Sequence, residues 1–387
     1  MARVHSVDVL RGLVMFLMAL DHVRDYFGAA TVNPTDIATT TVPLFLTRWI
    51  THLCAPSFFL LTGVSAFLAG ERRGTEGLGR HLLGRGAWLL LLEVVILRGL
   101  AWQFNFDFRV TFLVVLWALG WAMITLSVLV RWTPRVAGVF GVVMIVAHNA
   151  FDRVNPNVFG ALRPLWLILH QPGLIVAGPT YWLLVAYPLI PWVGVTAVGY
   201  ALGQVFLWES ERRRAFLLRV GLGLVTAFFV LRAVNVYGDP ARWASQRSPV
   251  FTVLSFINTT KYPPSLLFLL MTLGPGLLIL RATDLTVPRW LRPTIVLGKV
   301  PLFYFAAHVV LIHLLVLIVC WFRYGAIHWV FESARPDQFP FAQPPGWPLG
   351  LPWVYAIWLF VVAALWPVCR WFGALKARRR EWWWSYL

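Results

Sequence analysis

Charge is scarce in this 387-residue chain: charged residues make up only 13% of it, and there are just 16 Asp and Glu in all. Set against 59% hydrophobic residues and a mean hydropathy of +0.72, so little charge excludes an ordinary soluble domain. The apolar residues also come in runs rather than at amphipathic spacing, as in a polytopic membrane protein. Cysteine is nearly absent. Cys54, Cys320 and Cys369 fall in or beside apolar runs with no CxxC or Cys/His ligand spacing, which excludes a disulfide framework and a zinc site. The shortage of acid leaves a net charge of +17, which in a soluble chain would suggest nucleic acid. Here the Lys and Arg lie in short loops between apolar runs, where they set orientation, so no nucleic-acid partner is expected. There is no internal repeat and no low-complexity tract. The first apolar run is long, charged and without a small-residue cleavage site, so it is expected to remain as a span.

What is present is helix-length greasy sequence. About twenty apolar residues cross a bilayer as a helix, and on that measure the chain offers ten spans. They run over 7–27, 43–69, 86–104, 110–130, 136–151, 180–207, 215–235, 264–281, 300–322 and 351–372. The predicted fold is an all-α, polytopic integral membrane bundle of about 10 transmembrane helices, forming one domain over 1–387. If the N-terminus is cytoplasmic, the inner segments carry more than twice as many Lys and Arg as the outer ones, which places both termini in the cytoplasm. The tail "KARRREWWWSYL" fits that side, with basic residues at anionic headgroups and tryptophans in the aromatic belt. Outer loops are expected at 28–42, 152–179, 236–263 and 323–350, the last long enough to form a lid or rim.

The stretch "VDVLRGLVMFLMALDH", residues 7–22, keeps four ionisable groups inside a span. Arg11 and His22 are eleven residues apart, which brings them to within about 20° of one face and about 16 Å apart along the axis. One wall therefore carries a cation low and an imidazole high. Groups of this kind usually face the bundle interior, pair with one another or line a watery path. A structural account competes: Asp8 and Arg11 as an i,i+3 pair, and Asp21, Arg24 and Asp25 as a snorkelling cluster. In the second span, "TRWITHLCAPSFFLLTG" sets Arg48, His52 and Pro56 at successive i,i+4 positions, so a cation and an imidazole descend toward a proline kink. His22 and His52 lie at similar depth and could meet at one cavity, although a hydrogen-bonded core histidine is an equal reading for His52. Elsewhere, Glu93 and Arg98 suggest a buried ion pair, Tyr304 and His308 a structural hydrogen bond or a substrate contact, and Lys261, ahead of "YPPS", a capping residue or an acceptor contact.

The segments "SVDVLRGLVMFLMALDHVRDYF" and "RWITHLCAPSFFLLTGVSAFLAG" resemble bacterial members of the heparan-alpha-glucosaminide N-acetyltransferase-like family, within the transmembrane acyltransferase superfamily. The resemblance is strongest over 3–70, with echoes in "TKYPPSLLFLLMTLG" and "LGKVPLFYFAAHVVLIH". It implies a bacterial inner (plasma) membrane location and transfer of an acetyl or short acyl group from cytoplasmic acyl-CoA to an amino-sugar or hydroxyl acceptor on a glycan or small molecule outside. Arg11 and His22 match the superfamily's Arg-X10-His pair. The lysosomal enzyme of the family has Asn at the His22 position and Asp at the His52 position, which opens the question of which residue is the base and whether the acceptor is glucosamine-like.

A thioester is already activated, so such chemistry needs a base for the acceptor and stabilisation of the oxyanion. An imidazole suits the first task, which makes His22 the expected base, with Asp25, better placed at i+3 than Asp21, and His52 assisting. The donor phosphates need cations at the cytoplasmic mouth, for which Arg11, Arg72, Arg73 and Lys299 are the candidates. Arg48, Asp21, Lys261 and His308 are the expected acceptor contacts. No metal is expected, and a second copy of the chain stays open as a partner. A proton-coupled transporter would use the same buried groups as a relay, but the two related halves with broken helices that often mark such folds are missing. A non-catalytic scaffold would leave the intramembrane charges unexplained.

Overall fold

The computed structural model describes residues 4–29, 32–102, 104, 106–332, 335, 338, 340–379, 381, 384 and 386. The chain enters as α1, His5–Phe27, whose residues are mostly buried, and α1 forms the axis of the bundle. It is lined on all sides because α3 (Cys54–Leu91), α10 (Leu266–Ala282), α11 (Thr294–Lys299), α12 (Pro301–Tyr324) and α13 (Leu351–Arg378) all pack on it. Between α1 and α3 runs the short α2, Val42–Ile50, capped by the Thr41 side chain.

Small residues set how closely these helices approach. A Cβ on Gly12 would fall 1.8 Å from the Thr294 carbonyl oxygen, and one on Gly298 would fall 2.0 Å from that of Asp8, so α11 touches the α1 backbone directly. The same device joins α3 to α7 (Leu189–Leu202) through Gly63 and Gly199, and α5 (Pro134–Ala147) to α7 through Gly141 and Gly194. Close backbone approach over small residues is how helices associate where lipid removes the usual hydrophobic drive.

Among the described residues, six segments are long and apolar enough to cross a membrane: Val42–Trp102, Pro134–Phe151, Leu189–Leu207, Ser210–Val234, Pro301–Tyr324 and Leu351–Arg378. Val115–Leu129 (α4) and α10 are apolar but shorter, and α6 (Arg163–Leu169) and α9 (Pro249–Ile257) are shorter still. The structure is thus a polytopic helix bundle, with several departures from the expected spans. The predicted 43–69 span breaks into a 3₁₀ turn at Thr51–Leu53, ahead of Pro56 rather than at it. Pro56 sits in the first turn of α3, where a missing N–H costs nothing. Residues 70–85, expected as a loop, are helical on both sides of Gly74, which has φ 68° and ψ 167°. A straight helix would hold residues 70 and 78 about 12 Å apart. A Cβ on Gly70 would instead lie 2.8 Å from Leu78, so the chain doubles back at Gly74 and α3 forms two arms. Its second arm widens into a π-helical stretch, Leu92–Trp102.

A three-stranded sheet is a further departure from an all-helical chain. β1 (Val110–Leu113) pairs in parallel with β3 (Trp182–Val185), which pairs antiparallel with β2 (Gly173–Val176). Two of these strands occupy the starts of the predicted 110–130 and 180–207 spans. Short apolar runs rich in β-branched and aromatic residues cannot be told from helix by apolarity alone. Glu93 and Arg98 also fall out differently: Glu93 accepts from Trp102 Nε1 at 3.0 Å and Leu116 N at 2.9 Å, while Arg98 donates to the Val110 carbonyl at 3.0 Å and approaches Asp107. Glu93 thus ties the π-helical stretch to the first turn of α4, and Arg98 ties it to β1, rather than the two pairing with each other.

The expected lid segment folds over the end of α1. Trp347, fully buried, donates from Nε1 to the Tyr26 carbonyl at 2.8 Å, Leu349 N donates to Phe27 O at 2.7 Å, and Gln343 donates to Gly28 O at 2.9 Å. These bonds satisfy carbonyls that a helix terminus leaves unpaired. Residues 333, 334, 336, 337 and 339 of that segment, and most tryptophans of the C-terminal tail, lie outside the described residues.

Candidate active site

The face of α1 that carries Arg11 continues through Met15, Met18, His22 and Asp25, a spacing of four, three, four and three residues that keeps one stripe of a helix in line. At its first end this stripe opens onto two cavities. The larger, about 1090 Å³, is lined by Arg11, Arg72, Arg213, Arg292 and Lys299 among others. The smaller, about 300 Å³, climbs past Met15 and Met18 to Phe305 and takes in Arg85, Lys299 and Lys376. Arg11 belongs to both. It donates to Ser65 Oγ at 2.6 Å and to the Gly298 carbonyl at 3.3 Å, with Asp8 at 3.5 Å, so its guanidinium is fixed at the junction by α1, α3 and α11. Arg213 is neutralised by a forked contact to Asp284 at 2.9–3.1 Å. Arg73 is exposed beside Gly77 and lines neither cavity.

His22 stands one turn beyond Met18. Its Nδ1 lies 2.7 Å from His308 Nε2, and His308 Nδ1 lies 2.8 Å from the Tyr304 carbonyl oxygen. The two rings are parallel within 5° with centroids 4.9 Å apart, which together with the short N–N distance describes coplanar rings joined edge to edge. For two neutral rings the carbonyl fixes the tautomers, because it can only accept. His308 donates from Nδ1, its Nε2 accepts from His22 Nδ1–H, and the free electron pair of His22 is on Nε2. Trp102 and Phe305 hold the His22 ring from the sides, at 5.6 and 6.0 Å between centroids. His308 is fully buried behind His22 and is not a wall of the chamber at the Asp25 end, so the structure places it against the imidazole rather than where the acceptor contacts were expected.

Beyond His22 the stripe ends at Asp25, on a third cavity of about 570 Å³ lined by Arg24, Asp25, Arg48, His52, Lys261 and Tyr262, with the loop around Asn33 and the Asn258–Thr260 strip as its other walls. Asp21 lies beneath it, ion-paired to Arg48, 3.0 Å from Arg24 and 4.0 Å from Lys261. Asp25 is held by Arg24 at 2.5 Å. Asp25 therefore faces the cavity and its cation, while orientation of His22 falls to His308. His52 does not meet His22. Asp21 and His22 point about 100° apart on α1, and His52 lies on the Asp21 side, edge-on to Phe268 at 5.2 Å, with its buried Nδ1 unpartnered.

The strip that carries Lys261 is anchored from below by groups the sequence reading passed over. Asp239 accepts from Thr260 N, Thr260 Oγ1 and Ser265 Oγ at 2.6–2.9 Å. Arg232, almost wholly buried, donates to the carbonyls of Phe256, Ser255, Asn258 and Ala241. A lone arginine inside the apolar run "FFVLRAV" was the available signal for it. Ser65 and Tyr262 carried none. His/Cys/Asp/Glu groups able to hold a metal do not occur among the described residues.

A basic cavity at one end, an oriented imidazole midway and a polar chamber at the other end follow one helix face. The model for "Heparan-alpha-glucosaminide N-acetyltransferase, catalytic" matches residues 3–232. The chain belongs to that family. Among curated proteins nothing matches. Membership in the heparan-alpha-glucosaminide N-acetyltransferase catalytic family makes this a membrane-embedded acyltransferase by family, with an acyl-CoA type of donor implied. The matched stretch supplies Arg11, His22, Asp25, Arg48 and His52. Lys261, Lys299 and His308 come from beyond residue 232, and the fold brings them to the same stripe.

Proposed function

We propose that the protein transfers an acetyl or related short acyl group from acyl-CoA, entering at the Arg11 end, to an amine or hydroxyl acceptor held in the Asp25-end chamber. The supporting observation is the edge-to-edge His22–His308 pair standing between the cavities, with His22 Nε2 left as the basic nitrogen. Arg11, Arg72 and Lys299 fit the donor's phosphates, since they line a cavity of about 1090 Å³, just above the ~300–1,000 Å³ range of small-molecule sites. In the reaction, the acceptor N–H or O–H gives its proton to His22 Nε2 and its heteroatom bonds to the thioester carbon. The C–S bond then breaks, and the CoA sulfur leaves with the proton returned by His22. His308 holds the ring in the working tautomer and shares the positive charge while it lasts.

The topology belongs to this reading. We read the chain as ten helical passes, with Gly74 reversing it between two of them; that count is even and so puts both termini on one side, and the excess of Arg and Lys at the Arg11 end favours the cytoplasm for that side. The acceptor then waits outside, in a bacterial inner membrane.

The test is transfer or hydrolysis of radiolabelled acetyl-CoA by purified protein. His22→Ala is expected to lower turnover by about 10²–10⁴-fold, the usual worth of a positioned base. Unchanged turnover removes His22 from the mechanism.

A further inference from the structure

The chamber at the Asp25 end has an annex. Arg24, Asp25, Val32 and Pro34 are walls of the 570 Å³ polar chamber and also of a second space of about 300 Å³. The annex is mostly apolar, and it lies at the seam between the start of α2, with Leu44, and the start of α13, with Leu351 and Val354. Just past it the helices are tied by Thr47 Oγ1 and Tyr355 Oη at 2.9 Å. The outward faces of the same two helices carry Leu46, Ile50 and Trp353, which are 43%, 47% and 65% exposed, as side chains facing lipid are.

The polar chamber has unspent cationic capacity. Three cations, Arg24, Arg48 and Lys261, face two carboxylates, Asp21 and Asp25. Asp21 is taken by Arg48 and Arg24, and Asp25 by Arg24. Lys261 is more than nine-tenths buried; among the described residues its ammonium makes no hydrogen bond, its nearest anion is Asp21 at 4.0 Å, and its other neighbour is the face of the Tyr262 ring, 5.2 Å to the centroid. Arg24 is equally buried and its Nε has no partner. A buried ammonium without a hydrogen-bonded anion carries a desolvation cost that an anionic ligand offsets.

The geometry points to an amphiphilic acceptor drawn from the membrane: an anionic head, carrying the accepting hydroxyl or amine, sits against Lys261 and Arg24, and its hydrocarbon chain lies in the annex between α2 and α13. This rests on the acyl-transfer reading and narrows it. Asp25 is three residues, about 4.5 Å of rise, from His22 along α1; His22 is not itself a wall of the chamber, so the head has to reach the imidazole past Asp25. A soluble polysaccharide end would leave the annex to water, against mostly apolar walls.

The probe is 1-lauroyl-glycerol 3-phosphate, which carries tail, hydroxyl and anion together. Its controls are glycerol 3-phosphate, which lacks the tail, and monolauroylglycerol, which lacks the charge. Binding is measured on the full chain in phosphatidylcholine nanodiscs, with empty discs subtracted. The expected result is at least tenfold tighter binding of the complete amphiphile than of either control. Val354→Trp, which fills the annex, abolishes the preference over glycerol 3-phosphate, and Lys261→Met, which removes the cation, abolishes the preference over monolauroylglycerol. Leu44→Trp fills the annex from the opposite wall and replaces Val354→Trp should the latter fail to fold. Equal affinity for glycerol 3-phosphate, or an undiminished preference in a folded annex-filling variant, overturns the proposal. The acetyl-CoA turnover assay uses none of these probes. Turnover to a water-soluble acceptor alone would therefore sink the amphiphile while leaving acyl transfer standing, and absence of His22-dependent turnover would do the reverse.

Discussion

An imidazole is useful as a base only when one nitrogen is free and the other is told what to do. In His22 the second task belongs to His308, itself set by the Tyr304 carbonyl one turn back on α12. His308→Phe should therefore lower kcat by about ten- to a hundredfold with the KM for acyl-CoA unchanged, and should displace the pH–rate profile. His308→Asn, whose side-chain oxygen can accept from Nδ1–H, should recover part of the rate. A merely structural His308 would change protein yield and melting without moving the profile. Arg11 makes a different kind of contact, spanning Ser65 Oγ and a backbone carbonyl. Lysine cannot bridge two directions with a planar fork, so Arg11→Lys should raise the acyl-CoA KM nearly as far as Arg11→Met, as read from initial rates.

Among the elements, the contact between α1 and α11 is the tightest to carry a site residue, since Lys299 ends α11. Gly12→Ala and Gly298→Ala put a methyl group within about 2 Å of backbone oxygen, so each is expected to cost several kcal/mol or prevent assembly, as read by thermal melting in detergent. Gly223, with nothing within 4 Å on α8 (Ser210–Val234), is the contrast: Gly223→Ala should be neutral or stabilise by about 0.5–1 kcal/mol. Gly74→Ala meets no clash either, yet it should cost about 1–3 kcal/mol because φ 68° with ψ 167° is a region only glycine occupies freely. The cluster of His148, Asp152 and His170 adds a pH dependence. Burial pushes the His170 imidazole below its usual range, although the Phe151 backbone opposes this, and Asp152 lies 3.8 Å away with its own carboxyl raised by burial. His148 stands across from it at 5.8 Å between rings. The unfolded His170 takes up its proton near pH 6.5, before the folded one does. Its contribution to stability is therefore complete above that pH and is lost as the medium becomes more acid. His170→Gln should flatten the melting temperature between pH 7.5 and 5.5 by a few degrees relative to wild type.

At the scale of the whole molecule, the reading of sides can be checked because the three cysteines are buried and give a low background. Glu76→Cys, beside the hairpin at Gly74, should resist a membrane-impermeant maleimide in intact cells, and Ser245→Cys, on the Asp25 side, should react. The reverse pattern inverts the protein and with it the direction of transfer.

The charged groups inside the first two spans were legible in the chain itself, because ionisable residues in lipid-length apolar runs are too costly to be incidental. The stripe from Arg11 through His22 to Asp25 likewise follows from helical spacing alone. What spacing could not supply is the partner across each gap. His22 pairs with His308, 286 residues away, and not with His52. The choice turned on a 100° difference in direction between Asp21 and His22 once α12 had packed beside α1. Hydropathy measures how greasy a run is, and not where it breaks or whether it pairs as a strand, which is why 110–113 and 182–185 read as helix and why Gly74 passed as loop. The amino-acid order determined that this chain lives in a membrane and which of its groups had to be kept from lipid. Only the packed structure decided which of those groups face one another, because long-range contacts are set by how closely backbones can approach, and that is a property of the assembled bundle.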